Sequence, residues 1–275
     1  VEDGDLAEYL AFHKLQAAVA ADATLLAPSP NQQAYDVTAY DLDLVPDPDT
    51  EVLAGRVRIR ATVVAGPLLT MELDLGDPMA VDSVHVAGTA APFTHALDLL
   101  TVTLDRPWLT GEGLDLTVWY RGTPGTSGFG TVFAFSSDRG KPLLWTLSEP
   151  YGAREWWPCK DHPEDKADSV SMRVTVPGGM KTVSNGLLEE SSDDGALAVT
   201  RWVERHPIST YLVSLASHPY SLATDWYVTA AGDSMPLGFW MYPADSVAAV
   251  PVTMKDPSTS IPKTRLMNFC VEGGS

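Results

Sequence analysis

Arg56-Val57-Arg58-Ile59-Arg60-Ala61-Thr62-Val63 is the stretch that decides the fold. Apolar and polar side chains alternate through it with a period of two. Successive side chains of an extended strand point to opposite faces, so Val57, Ile59, Ala61 and Val63 share one face and Arg56, Arg58, Arg60 and Thr62 the other. That is the pattern of a strand covered on one side and solvated on the other, as in antiparallel sheets. Outward from it the same period returns. Met71, Leu73 and Leu75 alternate with Thr70, Glu72 and Asp74. Leu114, Leu116, Val118 and Tyr120 alternate with Asp115, Thr117 and Arg121, and Val170, Met172, Val174 and Val176 with Ser169, Ser171, Arg173 and Thr175.

Turn-forming residues punctuate these runs: Pro46-Asp47-Pro48-Asp49, Gly66-Pro67, Gly76-Asp77-Pro78, Gly111-Glu112-Gly113, Pro177-Gly178-Gly179 and Ser184-Asn185-Gly186. Many short strands at close spacing predict an all-β fold, a large antiparallel β-sandwich or curved sheet. No helix-length amphipathic segment separates the strands, which argues against a parallel α/β sheet. A short N-terminal helix is expected within residues 1–26, where Leu6, Tyr9, Leu10 and His13 recur at helical spacing behind Asp5. Ala27 to Gln33 reads as a linker, residues 33–245 as the β domain, and 246–275 as an irregular tail or the start of a further domain. Leu237 to Tyr242 reads as one more strand, and Ser246 to Met254 as a helix start interrupted by Pro251.

The 275 residues carry 36 acidic and 18 basic side chains, a formal charge of −18, and 45% are hydrophobic. That apolar fraction supports a core and excludes global disorder. The charge argues against nucleic acid and anionic membrane surfaces as partners. No run of 18 apolar residues is present, so no transmembrane span is predicted. The two cysteines, Cys159 and Cys270, form neither a CxxC pair nor a metal cluster, and no required disulfide between them is expected. None of the six histidines belongs to an HExxH helix, and there is no GxSxG elbow, phosphate loop or GxGxxG. His162 lies close to Glu164 but lacks a second histidine, so it reads as a loop histidine among surface charges.

One segment has neither strand nor helix period: Trp145 to Lys166, with three tryptophans and eight charged residues. A long irregular segment inside a β domain is either functional or pinned by specific contacts; here the competing structural reading is a Trp-rich plug at one end of the sandwich. Glu149 precedes Pro150, which biases its backbone toward extended geometry. A carboxylate placed just after a strand can present its charge into a cleft and receive a cation.

At this segment the chain resembles the N-terminal domain of the aminopeptidase N family of zinc metallopeptidases, the gluzincins, in its bacterial form. The resemblance is carried by Thr146-Leu147-Ser148-Glu149-Pro150-Tyr151-Gly152-Ala153-Arg154 with Trp157-Pro158-Cys159, Asp161-His162-Pro163 and Lys166-Ala167. Tyr35-Asp36-Val37 with Tyr40 and Leu42, Ser184-Asn185-Gly186, and Pro207-Ile208-Ser209-Thr210-Tyr211-Leu212-Val213 complete it in the right order. The resemblance implies a cap on a catalytic domain of the same polypeptide. That domain supplies HExxH, a distant glutamate ligand, a Gly-x-Met-Glu-Asn strand and a tyrosine, none of which occurs in this chain. It further implies a Gln-x-Glu pair at the substrate entrance, whose Glu binds the free α-amino group of a peptide. Glu149 falls on that Glu; Leu147 stands where the Gln is expected. No catalytic residue is expected here, zinc belongs to the full-length protein, and the resemblance is to bacterial members that are often exported, periplasmic or extracellular.

Two functions are therefore in play: the cap domain of a zinc aminopeptidase, or a freestanding β-sandwich that binds carbohydrate or a protein partner through its Trp-rich loop. A hydrolytic zinc site needs three protein ligands around an open position. The chain alone is accordingly expected to hold no stoichiometric zinc and to cleave no aminoacyl substrate; elemental analysis together with a chelator-sensitive activity assay checks this.

Overall fold

The computed structural model describes residues 27–127, 130–228 and 234–246. The helix expected within 1–26, the tail beyond Ser246 and Cys270 lie outside the described residues. The architecture is all-β: among the described residues the helical pieces are three-residue 3-10 turns at Gln32–Ala34, Ala153–Glu155 and Thr210–Leu212. None of the described helices is long and apolar enough to cross a membrane.

An eight-stranded sheet runs, from edge to edge, through Leu187–Asp193, Leu197–Glu204, Ser169–Pro177, Tyr35–Asp47, Val52–Val63, Gly113–Gly122, Met79–Val86 and Thr89–Ala90. One departure from the antiparallel expectation sits at its centre. Tyr35–Asp47 and Ser169–Pro177 pair in parallel, with Ala39 opposite Ser169 and Leu44 opposite Val174. They can do so because more than a hundred residues of other strands connect them, far more than a parallel crossover needs. A β-bulge between Val37 and Ala39 shifts the parity of the opening strand. Tyr35 and Val37 before it, and Tyr40, Leu42 and Leu44 after it, are thereby all buried.

Two smaller sheets cover the inner face. Leu68–Asp74, Leu99–Trp108 and Phe93–Ala96 form one; Phe133–Asp138, Lys141–Thr146, Leu215–His218 and Lys181–Ser184 form the other. The main core takes in the predicted apolar faces, including Val57, Ile59, Leu73, Val118 and Val174, none of them measurably exposed. Each such side chain contributes roughly 1.5–3 kcal/mol by leaving water. The four-stranded sheet is covered on both sides: Leu144 and Leu215 face the main core, while Leu143, Val183 and Ala216 face a second cluster with Trp202, Tyr220 and Tyr242. Trp240, from the hairpin Ser221–Val228 and Ser234–Met241, packs on that cluster.

Two expectations change. Asp74, on the polar side of its strand by alternation, is buried, because a loop covers that side at the strand end. Residues 27–33 form a packed strap rather than a free linker. Ser29 donates to Glu72 at 2.5 Å, Asn31 donates to the Thr70 carbonyl at 2.7 Å, and Gln32 donates to Asp74 at 2.9 Å.

Gly55 lies opposite Tyr120 in the large sheet, and a β-carbon there would stand 2.5 Å from the tyrosine's ring and hydroxyl. The ring is buried and has nowhere to move. Gly55→Ala is therefore expected to destabilise the chain by about 1–3 kcal/mol through overpacking, measured as a lower urea midpoint at unchanged slope.

Candidate functional site

The irregular segment begins where Lys141–Thr146 ends. Leu147 donates its amide to the Val132 carbonyl at 2.8 Å, and the Gly152 amide donates to the Ser148 carbonyl at 2.7 Å, closing a tight turn. Within the turn Ser148 points inward and accepts a hydrogen bond from the Trp156 indole at 3.0 Å. Its neighbours behave differently. Leu147 is 40% exposed, an apolar side chain held in solvent. Glu149 is half-buried, and its Oε2 is shut off from water with no hydrogen-bond partner among the described residues. The structure thus sets the two sequence-predicted site residues on either side of one pinned serine.

An unpaired buried carboxylate oxygen is costly, about 1–3 kcal/mol for a neutral group and more when charged. The obvious internal partner, Arg154, is engaged elsewhere. Its Nη1 lies 3.4 Å from Asp74, and its Nε donates to Asp161 at 3.2 Å. Burial pulls the Arg154 pKa down, but the two carboxylates outweigh it and the net shift is upward, so the cation is firmly held. Asp161 also accepts from Thr210 Oγ1 at 2.8 Å, and its amide donates to Asp74 at 2.8 Å.

The remainder of the segment is the plug. Trp156, Trp157 and Cys159 are fully buried. Trp157 meets Tyr40 edge-on at 4.8 Å and Trp156 at 5.8 Å. Cys159 pairs through its backbone with Asp74, and Lys160 donates to the Tyr35 carbonyl at 2.7 Å while pairing with Asp165. The reading of the Trp-rich loop as an exposed contact surface fails on this burial: the paired tryptophans face the core. Among the described residues no group of three or more His, Cys, Asp or Glu is arranged to hold a metal, so they do not fit a zinc ion. His162 sits half-exposed in the loop.

Residues 37–212 match the family described as the peptidase M1 N-terminal domain. The chain belongs to that family. Among solved structures, it is similar to an M1 zinc metallopeptidase from Deinococcus radiodurans, bound to a Tyr-Ser-Ala substrate. That likeness has a TM-score of 0.68 at 30% identity and covers 77% of this chain and 48% of the other. Aminopeptidase M1-A of Oryza sativa subsp. japonica is 28% identical over 188 residues, 64% of this chain and 21% of the relative. Glutamyl aminopeptidase of Sus scrofa is 34% identical over 119 residues, 42% of this chain and 12% of the relative. The chain thus spans only a minor part of these two relatives and about half of the solved enzyme.

Two residues of consequence escaped the sequence reading. The clamp at Asp74 breaks the alternation rule, so no local signal marks it. Glu155 is the other. Its carboxylate sits in a niche walled by Gly76 and Gly125, where a β-carbon would come within 2.9 and 2.1 Å of Oε2. Burial first, and then Asp98 and Asp161 against an opposing Arg154, push its pKa up to about 7. A carboxyl raised in the folded state stabilises fully below its unfolded pKa and loses that contribution as pH rises through about 7. Because Glu155 keeps partial contact with water, the effect is discounted to about 1 kcal/mol. Glu155→Gln is expected to be more stable than the parent at pH 8 by roughly that free energy, and so to melt higher, and to match it near pH 4; paired thermal melts at the two pH values check this.

Proposed function

We propose that this chain is the substrate-end recognition domain of a zinc-dependent aminopeptidase, in which Glu149 holds the protonated α-amino group of a peptide. The observation that carries the proposal is the buried, partnerless Oε2 of Glu149. An aminopeptidase must measure one residue from a free end. An anion at a fixed place is a physical ruler for that distance, because only a true N-terminus brings a cation to it. The α-ammonium supplies the donor that the described residues do not.

Leu147 flanks the anchor and offers apolar contact, and the Ser148–Trp156 hydrogen bond keeps the turn from relaxing. The zinc chemistry falls to a catalytic domain of the same polypeptide, since the described residues offer no ligand set for it. This chain's part is to bind and orient. Family membership supports the reading, as does the M1 zinc metallopeptidase that shares the fold with a peptide bound. Exposed apolar side chains at the same end of the four-stranded sheet, Leu147 and Leu212 with Leu187 beyond them, form the face on which the catalytic domain would rest.

A charge-assisted hydrogen bond in a partly dry pocket contributes about 1.5–3 kcal/mol. Glu149→Gln in the full-length enzyme is expected to lower kcat/KM on free-amine peptides roughly 10- to 150-fold, with a melting temperature no lower than the parent's because the buried charge is removed. Unaltered efficiency on free-amine substrates, with N-acetylated ones still rejected, would show that another group reads the free end.

A further inference from the structure

We propose that the cleft between the entering strap and the loop at 160–165 binds a linear aliphatic diamine in its doubly protonated form. The cleft has a volume of about 700 Å³, within the range of small-molecule sites. Asp36, Glu164 and Asp165 supply its carboxylates, and Pro28 and Val64 its apolar wall. No residue of the Leu147–Glu149 turn lines it.

Strand alternation and two short loops bring these groups together. Tyr35 is buried at the start of its strand, so Asp36 turns the other way and is exposed. The Val64 amide donates to the Ala34 carbonyl at 2.8 Å, which sets the end of the neighbouring strand alongside, and Gln33 donates to the Pro28 carbonyl at 2.9 Å across the strap. On the other rim the Asp165 amide donates to the His162 carbonyl at 3.1 Å, and Ser209 Oγ donates to the Pro163 carbonyl at 2.9 Å, so the loop is tied in place.

The charge of the cleft is unbalanced. Lys160 is the one lysine or arginine that lines it, and that cation is committed inward. Its Nζ donates to the Tyr35 carbonyl at 2.7 Å, pairs with Asp165 and lies 5.0 Å from the centroid of the Tyr35 ring. Asp36 and Glu164 make no hydrogen bond or ion pair with the described residues. Counted with His162 uncharged, three carboxylates against one ammonium leave two negative charges. Burial and then Asp165 hold the Asp36 carboxyl above its ordinary range, with Lys160 opposing, so at Asp36 the neighbouring anion outweighs the cation. Asp165 itself points to a ligand. Its side chain is only 6% exposed and its ion pair uses Oδ2, while Oδ1 is closed to water and has no hydrogen-bond partner among the described residues. A buried acceptor left so is costly, and a donor seated in the cleft relieves it.

Two negative charges call for a dication, and their dispersal decides which kind. Among the described residues no three His, Cys, Asp or Glu side chains are arranged to hold a metal, so a single ion does not satisfy them. Two ammoniums joined by methylenes do. The stem lies along Pro28 and Val64, as lysine stems lie on apolar surface, and the ends reach separate carboxylates through charge-assisted hydrogen bonds. Alkylamines titrate near pH 10.4, as the lysine side chain does, so both ends are charged at neutral pH. The overall charge of −18 adds a general attraction for cations.

The test is calorimetric titration of the full-length protein with 1,5-diaminopentane, with pentylamine, magnesium and a capped Lys-Ala-Lys peptide as comparisons. The diamine is expected to bind with Kd below about 1 mM and roughly 10-fold or more tightly than pentylamine. Binding should persist in Glu149→Gln, which removes the proposed peptide anchor and keeps the two amine sites from being confused. Asp36→Asn with Glu164→Gln should weaken it roughly 10-fold or more, while the melting temperature stays within about 3 °C because both carboxylates are exposed. Val64→Lys, which sets a cation on the cleft wall and removes no carboxylate, should weaken it as much and guards against a double variant that fails to fold. Absence of diamine binding, equal binding of pentylamine, loss in Glu149→Gln, or binding undiminished in the folded cleft variants overturns the proposal. So does displacement by equimolar magnesium, which would make the cleft an ion site, or by the lysine peptide at lower concentration, which would make it a protein-docking site.

Discussion

The Arg154 guanidinium, held between Asp74 and Asp161 with almost no access to water, is the interaction on which the other parts of the site depend. It joins the end of a three-stranded sheet to a loop that has no regular structure of its own. Through Asp74 it reaches Gln32 in the entering strap, and through Asp161 it reaches Thr210 near the end of the domain. Four distant segments therefore share one charge cluster. Breaking one partner of such a buried set typically costs about 3–5 kcal/mol, because a charge is left uncompensated in the interior.

That clamp allows the loop to have two characters. Its inward side is core: Trp156, Trp157 and Cys159 fill the end of the sandwich as firmly as any strand residue. Its outward side keeps Leu147 in water and Glu149 with one oxygen unpaired. Neither state is favourable alone. A flexible loop would rotate Leu147 inward and turn Glu149 toward solvent, so the rigidity supplied by Arg154 and by the Ser148–Trp156 hydrogen bond is what maintains them. Preorganisation of this kind places the cost of an unsatisfied group on the fold rather than on the binding step.

The outer face of the large sheet follows a different logic. There the charges are solvated and individually weak, and their arrangement is set by strand register alone. Arg56, Arg58 and Arg60 meet Asp43, Asp115 and Asp41 because neighbouring strands bring opposite signs together. Across the antiparallel pair Ser169–Pro177 and Leu197–Glu204 the register sets Arg173 opposite Arg201, and each finds its counter-charge on the edge strand, Glu190 and Glu189 respectively.

How much of this was legible beforehand depends on how local the physics is. The period-two runs at Val57–Val63, Leu114–Tyr120 and Val170–Val176 determined the strands and their buried faces, because side-chain direction along a strand is a property of adjacent residues. The break in period from Trp145 to Lys166 marked the unusual loop, and its motifs pointed to Leu147 and Glu149. The parallel pairing of Tyr35–Asp47 with Ser169–Pro177 was not legible, since a strand's pattern is the same whichever way its neighbour runs. Asp74 was misread for a related reason: alternation says which side a residue occupies, and only the folded loop decides whether that side is wet. The raised pKa of Glu155 and the unsatisfied acceptor of Glu149 likewise arise from residues far apart in sequence, Gly76, Gly125 and Asp98 in the first case and, in the second, Asp74 and Asp161, which engage Arg154. The sequence by itself determined the strands, their faces and the exceptional segment; burial, partnership and charge balance were decided only when the tertiary structure brought those distant groups within a few ångströms.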